Sequence, residues 1–340
     1  MKLTNKDISE LLARRADETD EHRRRAYQRA ARAALMWPSE AADLVDLDRS
    51  LTELHNVGDK LAGRIKAWIE DPPELEETPA LRRDFMTMAQ ARALLADHPE
   101  WPKLRGDLQM HTVLSDGKAS VAEMARRGAE LGYEYIAITD HSKGLRIAGG
   151  ADEAAFAAQS QEIDRVNEAI GDGGFRVLKS MEMNIDGNGE GDMDPHVFEL
   201  FDLVLGSFHS QLRTTEDQTP RYLAALDNQD IQIIGHPRGR KFNNRLGLSA
   251  DWRSVLDAAA EAGKALEINS YPDRQDLSAA ILEQARPDNV FSIGTDAHNP
   301  DEMLLFEYGL AQALAAGLEP KQIVNFWSVQ EVQDWAAARN

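Results

Sequence analysis

The sequence predicts an α/β fold of repeated strand–helix units that follows a small all-α domain. After residue 104, seven short apolar runs follow one another at intervals of roughly 25–40 residues, with helical stretches between them. The first hundred residues instead show apolar positions at helical spacing. We expect a helical domain over residues 1–75, a linker and connecting helix over 76–103, and an α/β domain over 104–340.

The composition excludes several classes of protein. The 340 residues contain no Cys, so disulfide frameworks and thiolate metal sites are excluded. The longest apolar runs fall short of the ~20 residues that a membrane helix needs, and the first twelve residues lack the apolar core of a signal peptide, so we expect a cytoplasmic protein. A net charge of −20 argues against a broad nucleic-acid footprint.

The acidity is unevenly distributed along the chain. Residues 1–75 hold 13 Lys and Arg against 15 Asp and Glu, so most of the negative charge lies after them. Within this first part, "EHRRRAYQRAAR" is a dense basic cluster. Such a cluster is either a solvated helix face or a contact surface for an acidic partner, and the pattern alone leaves both open.

The helical part divides at its proline and glycine residues. Residues 5–35 are predicted to be a helix, which Pro38 ends. Residues 51–70 keep a helical rhythm around a tight turn at Asn56-Val57-Gly58. A hairpin of this kind either presents the amides of the next helix to a DNA phosphate or is an ordinary pair of packed helices. After the acidic, Pro-rich residues 71–79, residues 80–97 are predicted to be one helix.

The turn and its flanks resemble a helix-hairpin-helix motif, with Asn56 where the family has a second glycine. Residues 1–70 as a whole resemble the N-terminal DNA-binding domain of bacterial family-X DNA polymerases. The resemblance implies DNA contacts from Asn56, Gly58, Lys60 and Arg64. Arg64 aligns with the lysine that forms a Schiff base in relatives with lyase activity. Since a guanidinium stays protonated, we expect phosphate binding here and no lyase chemistry.

The seven apolar runs are predicted to be buried parallel strands, because they are short and apolar throughout. Between the first two, Ser120 and Glu123 are placed to form a capping box. Between the fifth and sixth, Trp252, Val255 and Ala259 share one helical face. The runs occupy residues 106–110, 135–139, 176–182, 203–208, 231–235, 265–269 and 290–294.

Polar side chains follow every predicted strand. The carboxyl ends of the strands meet on one face of a β/α barrel, so we expect these side chains to share a pocket. Five of the nine histidines belong to the set. Without Cys, such a set suits Zn²⁺, Mn²⁺ or Fe²⁺, and it is large enough for two or three ions bridged by Glu182. The set comprises His111 and Asp116, Asp140 and His141, Glu182, His209, His236, Asn269, and Asp296 and His298.

The same segments resemble the PHP (polymerase and histidinol phosphatase) family. The motifs are "DLQMHTVLSDG", "ITDHS", "MEMN", "GSFHS", "GHP" and "GTDAH", in that order, within residues 104–320. The resemblance implies a distorted seven-stranded (βα)₇ TIM-like barrel with a trinuclear metal site. Many members have His-x-His in the first motif, where this chain has Gln109-x-His111. The longer contexts resemble the PHP domains of bacterial family-X polymerases.

The resemblance also implies a ligand set for each ion. His111, Glu182 and Asp296, with Gln109 nearby, would hold the first. Glu182, His209 and His236 would hold the second, and Asp116, His141 and His298 the third. Asp140 is predicted to take part in catalysis with Glu182 and His236, either by ligating directly or by orienting a ligand histidine.

Basic residues beside these motifs are candidates for binding phosphate. Arginine in particular binds phosphate through two parallel hydrogen bonds, although solvated loop charges would give the same pattern. Asn269 is a further candidate for a sugar or base contact. The predicted substrate contacts are Lys143, Arg146, Arg238, Arg240, Lys241 and Asn269.

Three functions remain open from the sequence. The first is a metal-dependent phosphoesterase that acts on DNA ends in repair, as a 3′→5′ exonuclease, a 3′-phosphatase or an abasic-site endonuclease. The second is a small-molecule phosphatase of the histidinol-phosphate type. The third is a DNA-binding module with an inert barrel. The first predicts DNA as a partner, bound without sequence specificity, and none of them predicts a membrane partner or an oligomeric state.

Overall fold

The computed structural model describes residues 2–171 and 173–338. It begins with two packed helices, α1 (Asn5–Asp17) and α2 (Glu21–Met36). The prediction of a single helix over residues 5–35 is therefore wrong. The Asp20 side chain accepts a hydrogen bond from the Arg23 backbone and caps a new helix, which lets the apolar faces of α1 and α2 pack together.

The predicted tight turn lies between a short 3₁₀ turn (Leu51–Glu53) and α4 (Asp59–Glu70), after the short helix α3 (Ala41–Asp46). Asn56 takes the left-handed conformation with φ of 62°. Gly58 caps α4 with an extended φ of −93°, so the left-handed residue of this turn is Asn56 and not the glycine.

The connecting segment is not the single helix predicted over residues 80–97. A 3₁₀ turn (Ala80–Arg82) is followed by Asp84 in the left-handed conformation and then by α5 (Met88–Ala96). Thr87 and Gln90 form a capping box that fixes the start of α5. The break before α5 places Phe85 in the core beneath the N-terminal helices.

Every predicted strand contributes to one of two parallel sheets. The first sheet has the order β1–β2–β3 and the second the order β4–β5–β6–β7–β8. The run predicted at residues 176–182 is split between β3 and β4. Single bridges from Met110 to Ala297 and from His141 to Glu182 join the two sheets. The strands are Gly106–Asp107, Tyr135–Ile138, Arg176–Lys179, Glu182–Asn184, Leu205–Ser207, Ile233–Gly235, Ala265–Asn269 and Val290–Gly294, β1 to β8.

The helices after β1 pack against the sheets and around them. The capping box predicted at Ser120 and Glu123 is confirmed, and Val255 and Ala259 on α9 are buried as predicted. Within the described residues, no helix is long and apolar enough to span a bilayer. The helices are α6 (Val121–Glu130), α7 (Glu153–Ile170), α8 (Thr219–Asp227), α9 (Trp252–Glu261), α10 (Ala279–Leu282), α11 (Phe306–Ala315) and α12 (Val329–Ala337).

Residues 82–85 connect the N-terminal helices to the α/β part through side-chain contacts. The rings of Phe85 and Phe242 meet edge to face at 5.1 Å. Arg82 forms a buried ion pair with Glu10 at 2.8 Å, and its second branch donates to Asn243 Oδ1, also at 2.8 Å. Arg82 thus joins α1 to the loop that follows β6. This loop begins at His236, a predicted metal ligand.

Candidate metal centre

The carboxyl ends of the strands bring the predicted ligands together around Glu182. One oxygen, Oε1, lies 2.7 Å from His236 Nε2 and 3.2 Å from His209 Nε2. The other, Oε2, lies 3.2 Å from His141 Nδ1 and 3.5 Å from His111 Nε2. A single carboxylate is thus surrounded by four imidazoles from four strand ends.

The chemistry of this arrangement fits a cation. Glu182 has no solvent exposure, yet among the described residues neither of its oxygens receives a hydrogen bond of acceptable geometry. His209 Nε2 is also buried without such a partner. A buried carboxylate is stable only when it is paired or binds a metal. Glu182 and the imidazoles around it therefore fit divalent metal ions, which both carboxylates and neutral imidazoles ligate.

A second group of ligands adjoins the first. Asp116 Oδ1 lies 3.3 Å from His298 Nε2 and 3.7 Å from His141 Nε2. On the other side, His111 Nε2 lies 3.1 Å from Asp296 Oδ1. The ligand atoms fall into two overlapping sets that share one imidazole and form a divalent-metal site. The sets are His111, Asp116, His141 and His298, and His141, Glu182 and His209.

The electrostatics favour the protonation state that metal binding needs for His141 and Asp296, but not for His298. Burial lowers the pKa of His141 to about 4, so its imidazole is neutral at pH 7. Burial would raise the pKa of Asp296, but the charges of Arg274 and His111 outweigh it and hold that pKa far below its usual value. For His298, burial is outweighed by the hydrogen bond to Asp116 and by Asp296, and the pKa rises to about 9.

A layer of polar side chains lies directly beneath the ligands. Asn269 Nδ2 lies 3.2 Å from Glu267 Oε2 and 3.3 Å from Asp296 Oδ2. The amide of Gln109 lies 3.0 Å from Glu267 Oε2, so its nitrogen is assigned to that side. Burial raises the pKa of Glu267 well above its usual value. Asn269 is fully buried in this layer and contacts Asp296, and the substrate contact predicted for it stays a prediction.

Asp140 supports the loop after β1 instead of facing the ligands. Its two oxygens accept five hydrogen bonds, all from Thr112, Ser115 and Gln159. Those from the Thr112 and Ser115 hydroxyls are both 2.6 Å long. Among the described residues, Asp140 contacts none of the predicted histidine ligands through its carboxylate, and its predicted part in catalysis stays a prediction. Its contacts position the loop that leads to Asp116.

Sequence reasoning missed Arg274, which belongs to the centre. Its Nε lies 3.1 Å from Asp296 Oδ2, and the side chain is 22% exposed. Burial lowers the pKa of Arg274, but the charges of Asp296 and Glu182 outweigh it and raise the pKa. The sequence signal that could have identified it is the arginine within "EINSYPDRQDL", because that segment follows the sixth predicted strand.

The predicted phosphate-binding residues differ in their solvent exposure and in their ion pairs. Lys143 is exposed and forms an ion pair with Glu153 at 2.5 Å. Lys241 lies 3.6 Å from Asp273, and Arg146 is exposed. Among these, Lys143 and Lys241 already have a carboxylate neighbour in the described part of the chain.

Arg238 and Arg240 differ although only one residue separates them. Arg238 is half-buried and donates to the Leu246 carbonyl at 2.9 Å. Arg240 is 4% exposed, stacks over Phe85 at 3.8 Å and donates to the Asp84 carbonyl. Burial lowers the pKa of Arg240 to about 10. Arg240 thus anchors the connecting segment, and the phosphate contact predicted for it stays a prediction.

The predicted DNA contacts lie on one exposed edge of the N-terminal helices. Asn56, Gly58 and Lys60 are exposed at the start of α4. Arg64 is half-buried one turn further on, with its guanidinium 5.9 Å from the centre of the Tyr27 ring. The four residues thus lie together at one helix start, which is the arrangement that a phosphate contact requires.

Comparison with known protein families identifies the α/β part. Residues 107–271 match the model of the PHP domain. The match covers just under half of the chain. The α/β part therefore has both a PHP-domain match and a cluster of side chains that could hold metal ions.

Two curated relatives resemble longer parts of the chain. The chain is 34% identical over 264 residues to the "DNA polymerase/3′-5′ exonuclease PolX" of Bacillus subtilis, which covers 77% of this chain and 45% of that protein. It is 29% identical over 237 residues to a "Probable phosphatase" of Syntrophotalea carbinolica, covering 66% of this chain and 92% of that one. The chain thus spans less than half of the Bacillus relative.

One solved structure also resembles the chain. It is histidinol phosphate phosphatase from Lactococcus lactis subsp. lactis, in complex with zinc, L-histidinol and phosphate. The TM-score is 0.46 and the sequence identity 17%, over 63% of this chain and 94% of that one.

Proposed function

We propose that the protein hydrolyses phosphoester bonds at DNA ends, as a 3′→5′ exonuclease, a 3′-phosphatase or an abasic-site endonuclease in DNA repair. The observation that carries this is the buried Glu182 carboxylate within four imidazoles. The similarity to the Bacillus PolX protein supports DNA as the substrate, because it extends over 77% of the chain and so beyond the PHP-matched residues.

We propose that the centre holds two or three ions of Zn²⁺, Mn²⁺ or Fe²⁺, with Glu182 shared between sites. Bound ions of this kind lower the pKa of a coordinated water and stabilise the entering and leaving oxygens of phosphoryl transfer. The proposed ligands are Gln109, His111, Asp116, His141, Glu182, His209, His236, Asp296 and His298, with Gln109 the weakest because its carbonyl is neutral.

The other side chains of the centre orient these ligands. Arg274 holds one oxygen of Asp296 at 3.1 Å and leaves the other facing His111. His298 Nδ1 donates to the Asp296 carbonyl at 2.7 Å, which leaves Nε2 directed at Asp116. Such hydrogen bonds fix the tautomer and the ring orientation of a metal-binding histidine.

We further propose that the strands close into a distorted (βα)₇ barrel. The Met110–Ala297 and His141–Glu182 bridges support closure, because the first joins the segments after β1 and β8 and the second joins the segment after β2 to β4. Residues 1–75 form a helix-hairpin-helix DNA-binding domain in this proposal, residues 76–103 a connection, and residues 104–340 the PHP barrel. DNA would be held through Asn56, Gly58, Lys60 and Arg64 while the barrel processes its end.

A small-molecule phosphatase is the second candidate function. It is favoured by the probable phosphatase of Syntrophotalea carbinolica, since the chain covers 92% of that protein. It leaves the N-terminal helices without a use in catalysis. A non-catalytic DNA-binding module is the third candidate, and only the substitution of Gln109 in the first motif favours it.

The test is a substrate panel with purified, metal-loaded protein. Single-stranded, nicked and abasic DNA, a 3′-phosphorylated oligonucleotide and histidinol phosphate are each incubated with Mn²⁺ or Zn²⁺. Hydrolysis of at least one DNA substrate with a kcat/KM well above that for histidinol phosphate supports the proposal. Turnover of histidinol phosphate alone supports the second candidate, and no turnover of any substrate supports the third.

A further inference from the structure

A cavity of about 580 Å³ opens between the loops that follow β5 and β6. Its polar lining consists chiefly of three arginines, and its apolar lining of leucine and tryptophan side chains. We call it the arginine cavity and define it by Arg213, Arg238, Arg245, Leu212, Leu246 and Trp252.

Both loops of the arginine cavity begin beside proposed metal ligands, at the carboxyl ends of β5 and β6. Arg238 follows the ligand His236 by two residues, and Leu212 follows the ligand His209 by three. The connecting segment supplies another wall, since Leu81 lines the cavity and its carbonyl accepts a hydrogen bond from Asn243 N at 2.9 Å. The cavity and the metal centre therefore share loops at the carboxyl ends of the strands, and Arg245 of the cavity lies close enough to Arg274 of the centre for their charges to interact.

The three guanidinium groups of the cavity lack the acidic partners that are common elsewhere in this chain. Among the described residues, none of the three has a carboxylate within 4.0 Å, although the net charge of the chain is −20. Their positions are fixed by carbonyl oxygens instead. Arg213 donates to the Asn244 carbonyl at 2.9 Å, and Arg245 donates to the Gly239 carbonyl.

Two further observations favour the binding of an anion in this cavity. Arg238 Nε is buried and has no hydrogen-bond partner in the described structure, while its Nη2 is held by the Leu246 carbonyl. A buried donor without a partner is costly, so a ligand that accepts from it is favoured. Burial and the like charges of Arg274 and Arg213 lower the pKa of Arg245, which shows that positive charge is crowded here.

We propose that the arginine cavity is a binding subsite for an oligonucleotide strand, taking the phosphodiester and base next to the bond that the metal centre cleaves. The inference rests on the proposed function for the choice of substrate. Guanidinium groups bind phosphate oxygens through paired hydrogen bonds, and aromatic and apolar walls accept a base without reading its sequence. The volume lies within the range of small-molecule sites and exceeds the needs of a lone phosphate ion.

The subsite gives the centre a preference for chains over monoesters. A phosphomonoester of a small molecule makes its contacts at the metal centre and leaves the cavity unused. An oligonucleotide adds contacts to Arg213 and Arg238. Its kcat/KM therefore benefits from binding energy that a small ester does not have.

The experiment measures binding separately from hydrolysis. A fluorescent phosphorothioate 10-mer, which resists cleavage, is titrated with the metal-loaded full chain by anisotropy. The variants are R213Q, R238Q, the double variant and R238K. The matched control is R165Q, since Arg165 is exposed on α7 outside the cavity and its substitution makes the same change of charge.

We expect the double variant to raise the Kd about tenfold or more and to lower the slope of log Kd against log salt by about 0.7, because the contact with one phosphodiester of a single strand is lost. R238K retains the charge without the paired geometry and falls between wild type and R238Q. Circular dichroism and thermal melts check the fold of each variant. If the double variant does not fold, R213Q carries the test, because Arg213 is exposed.

Wild-type hydrolysis of the natural phosphodiester 10-mer is measured alongside, so that the two proposals fail separately. If the 10-mer is cleaved but the double variant binds as tightly as R165Q, the subsite is overturned and the proposed function stands. If binding depends on the arginines but no DNA is cleaved, the subsite stands and the proposed function fails. A wild type that does not bind the 10-mer at all also overturns the subsite.

Discussion

The cluster around Glu182 and the turn before α4 both collect groups suited to phosphate chemistry, but they differ in their exposure. Glu182 and His111 have no solvent exposure, and His236 is 2% exposed. Asn56, Gly58 and Lys60 are all exposed, and a Cβ added at Gly58 would meet nothing within 4 Å. One region is fixed by the packing of the strands, whereas the other is an open surface.

Because the two regions differ in exposure, substitutions should have different effects in each of them. Charges in a buried cluster interact strongly, so each member depends on its neighbours and on bound cations. Exposed charges are screened, so each contributes little and the sum over several contacts decides affinity. We therefore expect single substitutions to abolish activity in the first region and to reduce affinity in steps in the second.

The largest effect is expected for His236→Ala, which removes an imidazole 2.7 Å from Glu182. Loss of groups that merely orient metal ligands costs ~10–100-fold, so loss of this proposed ligand should lower kcat by more than ~100-fold. Steady-state kinetics on the best substrate of the panel measures it. DNA affinity should stay within about twofold of wild type. Retention of a tenth of the activity would remove His236 from the centre.

Arg82→Ala tests the connection between the two regions. Burial raises the pKa of Glu10, but hydrogen bonds from Arg82 and Arg14 outweigh it and hold that pKa below its usual value. Without Arg82, a buried carboxylate loses its main partner, and the free energy of unfolding should fall by about 3 kcal/mol at pH 7. Urea denaturation measures this fall.

The pH dependence of that difference follows from the lowered pKa of Glu10. The stabilisation is present above the unfolded-state pKa of Glu, about 4.3, and is lost as the pH falls below it. The gap between wild type and variant should therefore narrow in acid. Arg83→Ala, which removes an exposed partner of Glu77, is the control and should cost less than ~1 kcal/mol. An equal loss in both variants would contradict a buried junction.

Gly58→Val sharpens the comparison on the exposed side. The backbone at Gly58 is extended and the space for a Cβ is open, so the melting temperature should shift by less than about 2 °C. A branched side chain at the helix start would keep a phosphate from the amides and raise the Kd for duplex DNA about fivefold. Gly63→Val, also open on α4 but away from the turn, serves as the control for DNA binding. If Gly58→Val binds DNA as tightly as wild type, the turn does not bind phosphate and the two helices are an ordinary packed pair.

The smallest effect is a proton count on metal binding. The pKa of His298 is raised to about 9, so its imidazole is protonated at pH 7 in the metal-free protein and must lose that proton to ligate. Titration calorimetry in buffers of different ionisation enthalpy should find about one proton released from this residue at pH 7, and close to none above pH 10. The release should be smaller in His298→Asn. An equal release in the variant would place His298 outside the ligand set.

The sequence predicted the strands best where they are longest and buried. β7 and β8 begin and end at the predicted residues, because their apolar runs are bounded by polar side chains. The predicted third strand breaks at residues 180–181, and the helix over 5–35 breaks before Asp20. Such breaks depend on local caps and on partners distant in sequence, which an apolar pattern does not record.

The convergence of the proposed ligands was predictable because topology alone brings strand ends together. The surrounding residues were not. Arg240 and Arg238 share one loop, but Arg240 is the anchor because it contacts Phe85 and Asp84, which are distant in sequence. Asp140 sits beside a ligand histidine in sequence but bonds to the loop after β1. Residue type and spacing give the candidates, whereas burial and direction come from tertiary packing.

The central claim is that Glu182 and the imidazoles around it hold divalent metal. Its most direct test is metal analysis of the purified protein after loading with Mn²⁺ or Zn²⁺ and removal of excess ions, for wild type and for Glu182→Gln. Wild type should retain two or three ions per chain, and the variant should retain at least one fewer, because the shared carboxylate is lost. A wild type that retains no ions, or a variant that retains the full number, would contradict the account.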